Sequence, residues 1–374
     1  MAAVPETEQP GIAALEYVRA IAPYQAGKPI EELAREYGLA AESIVKLASN
    51  ENPLGIPESA RAAIARATDL ARYPDSNGFE LKAALAAQYR VPPEWITLGN
   101  GSNDVLELAA ATVLAPGRSA VYAQHSFAVY ALATQARGAR AIVVPARDYG
   151  HDLEAMAAAI AADTRIVFIA NPNNPTGTYV AADRIAAFLA RVPRDVLVVL
   201  DEAYNEYLPP ELRFDSTAWV REYPNLLVAR TFSKAFGLAG LRVGYGIAQA
   251  ELTDLLNRVR QPFNVNTLAQ AAAVAALGDA PFVARSYELN RRGLAELYAA
   301  FDRLRLAYVP SYGNFVMVKV GRAGRVYEEL LKRGVIVRPI ANYGLPEWLR
   351  VTVGLPHENA AFLRALEPAL AAAS

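Results

Sequence analysis

The chain has no cysteine among its 374 residues. That excludes disulfide bonds, thiolate catalysis and cysteine-ligated metal. Histidine is nearly as scarce: His125, His151 and His357 lie far apart, without metal-ligand spacing, so ordinary polar or capping roles are expected of them. Neither sign of charge is in excess, with 37 Lys and Arg against 38 Asp and Glu, so nothing points to a nucleic-acid partner. No apolar run reaches membrane-spanning length, and the N-terminus lacks the basic-then-apolar pattern of a secretion signal. The cytoplasm is the expected compartment, with no membrane partner.

Apolar residues make up 53% of the chain, enough for a sizeable core in one large or two modest domains. Residues 46–270 alternate apolar strand-like runs with alanine-rich helical stretches. This pattern predicts a doubly wound α/β domain around a mostly parallel sheet. Residues 1–45 read as an arm that joins a smaller α/β domain over 271–374, with a short helix at Glu31–Tyr37 and Met1–Pro10 disordered. The small domain is expected to run helix Glu288–Leu304, strand Asn314–Val320, helix Arg325–Lys332, strands Val335–Arg338 and Trp348–Val353, and helix Glu358–Ala372.

Four motifs carry chemistry. In residues 230–244 an apolar run leads into Thr231, Ser233 and Lys234, then a glycine-rich turn and Arg242. Most lysines are solvated surface charges. Hydroxyls and an arginine around a lysine held after a strand, however, suit a phosphate-bearing cofactor bound as a Schiff base. Asp201 ends the apolar run Val196–Leu200, a strand buried on both faces. Open α/β sheets place ligand groups at such strand ends. An acid there could keep a pyridine nitrogen protonated, or it could cap a helix; Tyr204, three residues on, favours the first role. After the strand Arg165–Ala170, the turn Asn171–Gly177 holds Asn174 with two prolines and a glycine. Gly101, Ser102 and Asn103 lie between a strand and a helix start, where free backbone N–H groups bind anions, although Ser102 or Asn103 could simply cap the helix.

With the segments 46–52, 72–75 and 349–354, these motifs occur in the order seen in fold-type I pyridoxal-phosphate aminotransferases. From about Tyr24 to the C-terminus the chain most resembles the histidinol-phosphate aminotransferase family. The resemblance implies a seven-stranded, mostly parallel sheet flanked by helices, a smaller α/β domain, and pyridoxal 5'-phosphate. It implies that Lys234 holds the cofactor and shuttles the proton, that Asp201 partners the ring nitrogen, and that Asn174 and Tyr204 meet the ring oxygen. Thr231, Ser233, Arg242 and the Gly101-Ser102-Asn103 turn would hold the phosphate, with Phe127 stacked on the ring. A tyrosine is frequent at that position, and Phe127 keeps only the stacking. Arg350 would clamp the acidic group of the substrate, with Arg338 second, unless Arg338 is a surface ion pair. Tyr24 would contact the substrate phosphate. Tyr73 would reach the phosphate of a neighbouring subunit, in a homodimer with shared sites. Some members carry a tyrosine where this chain has Asn52, which places Asn52 among the substrate contacts.

The implied reaction exchanges an amino group between histidinol phosphate and 2-oxoglutarate in two half-reactions. Arg338-Pro339 replaces the Arg-Asp of many members, and relatives of that type act on phenylalanine or tyrosine. Tyr343 or Trp348 could then line an aromatic pocket, or simply pack. A decarboxylase of phosphothreonine type shares the lysine and the aspartate and stands as a further alternative.

Overall fold

The structure is a computed structural model that describes residues 12–23 and 27–373. Met1–Pro10, expected to be disordered, and Tyr24 lie outside the described residues. After helix Ile30–Tyr37, strand β1 (Val45–Lys46) leads into the large sheet, formed by β2 (Ile96–Gly99), β3 (Ser119–Ala123), β4 (Arg140–Val144), β5 (Thr164–Ala170), β6 (Leu197–Asp201), β7 (Leu226–Thr231) and β8 (Gly244–Ile247). Its seven strands run in the order β2-β8-β7-β6-β5-β3-β4, and β8 alone is antiparallel to its neighbours.

The central strands explain their apolar runs. In β5 and β6, Val167, Ile169, Val198 and Leu200 enter one core layer while Ile166, Phe168, Leu197 and Val199 enter the opposite one. Successive side chains point to opposite faces, and helices cover both, so every position must be apolar. Helix Thr267–Leu277 packs on helices Glu58–Arg66 and Phe79–Tyr89, with Ala269, Ala272, Ala273 and Ala276 in the large-sheet core. A division at residue 270 therefore falls inside this helix.

The second body holds β9 (Tyr308–Val309), β10 (Phe315–Lys319), β11 (Val335–Ile336), β12 (Arg338–Ile340) and β13 (Leu345–Thr352). Four of them form an antiparallel sheet, β12-β13-β10-β9. Helices Ala280–Arg303, Ala323–Lys332 and Pro356–Ala373 enclose its core with Leu297, Phe301, Leu330, Phe362 and Leu366. The first of these helices starts earlier than expected, because Asp279 accepts from Phe282 N at 3.1 Å and Pro281 sits in the first turn. The single strand expected over Val335–Arg338 is two: β11 pairs in parallel with β1, and β12 pairs with β13. Pro339, which has no N–H to donate, lies at an irregular register in β12.

Candidate active site

Loops leaving the carboxyl ends of β2, β3, β5, β6 and β7 converge on one cavity of about 270 Å³, closed by residues 48–50 and by β12 and β13. This is the edge where parallel sheets gather ligand groups. Ser102, Asn103, Phe127, Asn174, Asp201, Tyr204, Thr231, Ser233, Lys234, Arg242, Arg338 and Arg350 all line it.

One end is built for an anion. Gly101 caps helix Ser102–Val113 with no side-chain bond, and a Cβ on it would lie 2.5 Å from Arg242 Nη2. Gly244, opposite Thr231 in the β7–β8 pairing, lies so close that its Cβ would meet Ser102 N at 2.4 Å. Backbone, helix end and guanidinium thus crowd into one cradle, beside Thr231 and Ser233, that suits a phosphate. Arg242 also reaches Ser233 Oγ at 3.4 Å and Ala239 O at 3.1 Å.

At the other end Asp201 is only 5% exposed, at the tip of β6 between Ala170 and Ala229. Its Oδ2 accepts from Tyr130 Oη at 2.7 Å and its Oδ1 from Ala203 N at 3.3 Å. Burial pushes its carboxyl up to about 6 despite the Tyr130 bond, which favours the anion. Tyr130 is held in turn, stacked on Phe168 at 4.7 Å and edge-on to Phe127 at 5.9 Å.

Between the two ends, Lys234 Nζ donates to Ser49 O at 3.1 Å and lies 5.9 Å from the Tyr204 ring centre. Burial, then the Arg350 guanidinium, pull the amine down to about 8. An amine so shifted can act as a nucleophile and a base near neutral pH. Burial pushes the Tyr204 phenol up to about 12, so it keeps its proton. Asn174 Oδ1 accepts from Arg350 Nη1 at 2.7 Å, which leaves the amide nitrogen as the group to meet a ligand. Arg338 and Arg350 occupy paired positions on β12 and β13, and both are buried. Arg338 is therefore not a surface residue.

Other expected residues lie outside this cavity. Asn52 does not line the cavity: its Nδ2 donates to Ala235 O at 2.9 Å and Ser286 Oγ at 2.7 Å, and its Oδ1 accepts from Leu54 N at 3.0 Å. Its amide fixes the turn after Lys234 and is spent there. Tyr73, expected to act on a neighbouring subunit and not on this chain's own cavity, is 80% exposed and stacks on Phe263 at 4.5 Å. Tyr343 and Trp348 pack with Met317 and Ile340 instead of lining an aromatic pocket. Of the histidines, His125 bonds Tyr343 O and His151 Nε2 bonds Ala170 O at 2.8 Å.

Sequence reasoning missed Tyr130 and residues 48–50. Ala48 O accepts from Arg350 Nη2 at 2.7 Å, Ser49 O accepts from Lys234, and Asn50 Nδ2 donates to Tyr204 Oη at 2.9 Å. Three consecutive residues thus each hold one side chain that lines the cavity. Tyr130 follows Phe127 by three, the spacing that puts two residues on one helix face, and that signal was available.

The pattern of the aminotransferase class I and II family matches residues 42–366. A histidinol-phosphate aminotransferase of Ralstonia nicotianae is 69% identical over 363 residues, 96% of this chain and 97% of that protein. One from Cupriavidus pinatubonensis is 69% identical over 360 residues, covering 95% and 96%. The crystal structure of histidinol-phosphate aminotransferase from Sinorhizobium meliloti, in complex with pyridoxal-5'-phosphate, superposes with a TM-score of 0.89 at 27% identity over 98% of this chain and 99% of that one. The cavity geometry and these likenesses agree: the chain belongs to the fold-type I, pyridoxal-phosphate-dependent aminotransferases, in the histidinol-phosphate aminotransferase family.

Proposed function

We propose that this chain transfers an amino group between histidinol phosphate and 2-oxoglutarate, yielding imidazole acetol phosphate and glutamate, or the reverse. The observation that carries the substrate is the pairing of Arg338 with Arg350, two buried guanidiniums on adjacent strands at one cavity. A planar fork suits carboxylate and phosphate alike, so the pair supports an acceptor with two carboxylates and a donor with a phosphate. The residues also fit pyridoxal phosphate. The Gly101–Arg242 cradle, which a Cβ would fill, suits the phosphate, and buried Asp201 suits a ring N–H. When bound, that cofactor supplies the electron sink that makes a donor's Cα proton removable. In this reading Lys234 Nζ carries the cofactor and then takes and returns the Cα proton, and Asp201 keeps the ring nitrogen protonated. Asn174 and Tyr204 donate toward the ring oxygen, Phe127 stacks on the ring, and Ser102, Asn103, Thr231, Ser233 and Arg242 grip the phosphate.

The test is a single turnover of the loaded protein without any keto acid. Histidinol phosphate and glutamate are expected to convert the visible cofactor band, with phenylalanine at least about tenfold slower. Faster conversion by phenylalanine would favour the aromatic reading. Release of carbon dioxide with no keto product would favour the decarboxylase.

The proposal includes a homodimer in the cytoplasm, in which Tyr73 and Tyr24 complete shared sites. Exposed Leu70 and Tyr73, which line one surface hollow, and exposed Phe263, stacked on Tyr73, support a covered face there. Sedimentation and activity should fall together on dilution. A fully active monomer would sink this part.

A further inference from the structure

We propose that Asn50 is a positioning residue that fixes the direction of the Tyr204 hydroxyl. This rests on the cofactor reading of the cavity above and adds to it the source of the proton polarity. Asn50 is 1% exposed and hydrogen-bonded at every polar atom. Asn50 N donates to Thr352 Oγ1 at 2.9 Å, and the Thr352 hydroxyl donates back to Asn50 Oδ1 at 3.1 Å. Asn314 Nδ2 donates to Asn50 O at 3.0 Å. Among the described residues the Thr352 hydroxyl has no acceptor other than this amide, so the end of the amide that meets Thr352 is its oxygen and Nδ2, which only donates, faces Tyr204 Oη at 2.9 Å. Tyr204 is therefore an acceptor on that side. Its single proton takes the other in-plane position, and among the described residues nothing accepts it. Tyr204 lines the cavity, and so the proton is available to a ligand's oxygen.

The backbone supports the same role. Asn50 sits at φ 55°, a conformation that non-glycine residues adopt rarely and that asparagine tolerates best. In this conformation the side chain bonds Tyr204 while the backbone N–H and C=O bond the side chains of Thr352 and Asn314. The chain Thr352 to Asn50 to Tyr204 runs donor to acceptor in one direction, and bonds so ordered strengthen one another. A phenol that accepts a bond is a better donor, so it better stabilises a ring oxygen in its anionic form. The pH midpoint of the visible cofactor band should lie lower for it. The charged groups facing Tyr204, namely Arg350, Lys234 and Asp201, are common to every variant below.

The experiment titrates the visible band of the pyridoxal-phosphate-loaded protein in wild type, Asn50→Gly, Thr352→Val, Tyr204→Phe and the Asn50→Gly/Tyr204→Phe double variant. Glycine accepts the positive φ, so Asn50→Gly removes the amide with little backbone strain. The midpoint is expected to rise by about half a pH unit in Asn50→Gly, by less in Thr352→Val, and by more in Tyr204→Phe. Asn50→Gly should add nothing once Tyr204 has lost its hydroxyl. An Asn50→Gly shift of the same size with and without the hydroxyl, or no shift at all, overturns the proposal. Should Asn50→Gly fail to fold, the same comparison with Thr352→Val decides it. A wild-type protein without a visible band, or a Tyr204→Phe midpoint equal to wild type, would instead overturn the reading of the cavity, and this inference with it.

Discussion

Lys234→Ala is expected to lower turnover by about 10⁴-fold or more with the fold intact. Among the described residues that line the cavity, Lys234 carries the only amine, and the arginines there cannot release a proton near neutral pH. No neighbour can take over. The variant should retain its circular dichroism and lose exchange of the glutamate Cα proton with solvent, a readout confined to the proton-transfer step. Lys234→Arg should fail almost as badly, because a guanidinium stays protonated and forms no Schiff base. Proton exchange at more than a few per cent of the wild-type rate in Lys234→Ala would remove Lys234 from the role proposed for it.

Asp201→Asn should have opposite effects on function and on stability. An amide at this position cannot hold a ring nitrogen in its protonated form, and turnover is expected to fall by about 10³-fold. In the cofactor-free protein the same change should stabilise. The folded carboxyl titrates at about 6, above its ordinary value near 3.8, so the folded state holds that proton more tightly than the unfolded chain. Its contribution to stability is present below pH 4 and is lost as pH rises through 6. By pH 7 the anion costs about 2–3 kcal/mol, an order-of-magnitude figure, which asparagine avoids. Urea melts of the two cofactor-free proteins should coincide near pH 4 and separate by pH 7, with the variant more stable. Equal stability at both values would show that Asp201 is not strained as a buried anion.

The contrast between these residues and Asn50 explains what the sequence could reveal. Lys234, Asp201 and Asn174 each follow an apolar run long enough to mark a buried strand, so local pattern alone places them at strand ends. The alternation of strands and helices made the large sheet legible for the same reason. Asn50 has no such marker. It acts through Thr352, 302 positions away, and through Tyr204, 154 positions away. Tyr130 likewise acts through Asp201, 71 positions away, and a tyrosine on a helix reads first as core. Asn52 misled because the resemblance places a tyrosine of some members at its position, whereas here the fold delivers Ala235 O and Ser286 Oγ to its amide nitrogen. The break between β11 and β12 was hidden because Val335–Val337 is uniformly apolar whichever sheet receives it.

The antiparallel turn of β8 has a bearing on how such a protein can change over time. Because β8 folds back on β7, with Thr231 opposite Gly244, Lys234 and three proposed phosphate contacts are carried on one short hairpin of the large sheet. The two arginines proposed to face the acidic groups of substrates are carried by β12 and β13, in a different sheet with its own core. Drift in the second sheet can therefore alter which amine is accepted while the cofactor stays anchored, and an intermediate form that recognises its old donor poorly remains a loaded, folded protein. New donor preferences can arise in such a lineage by small steps, none of which passes through an empty or unfolded enzyme.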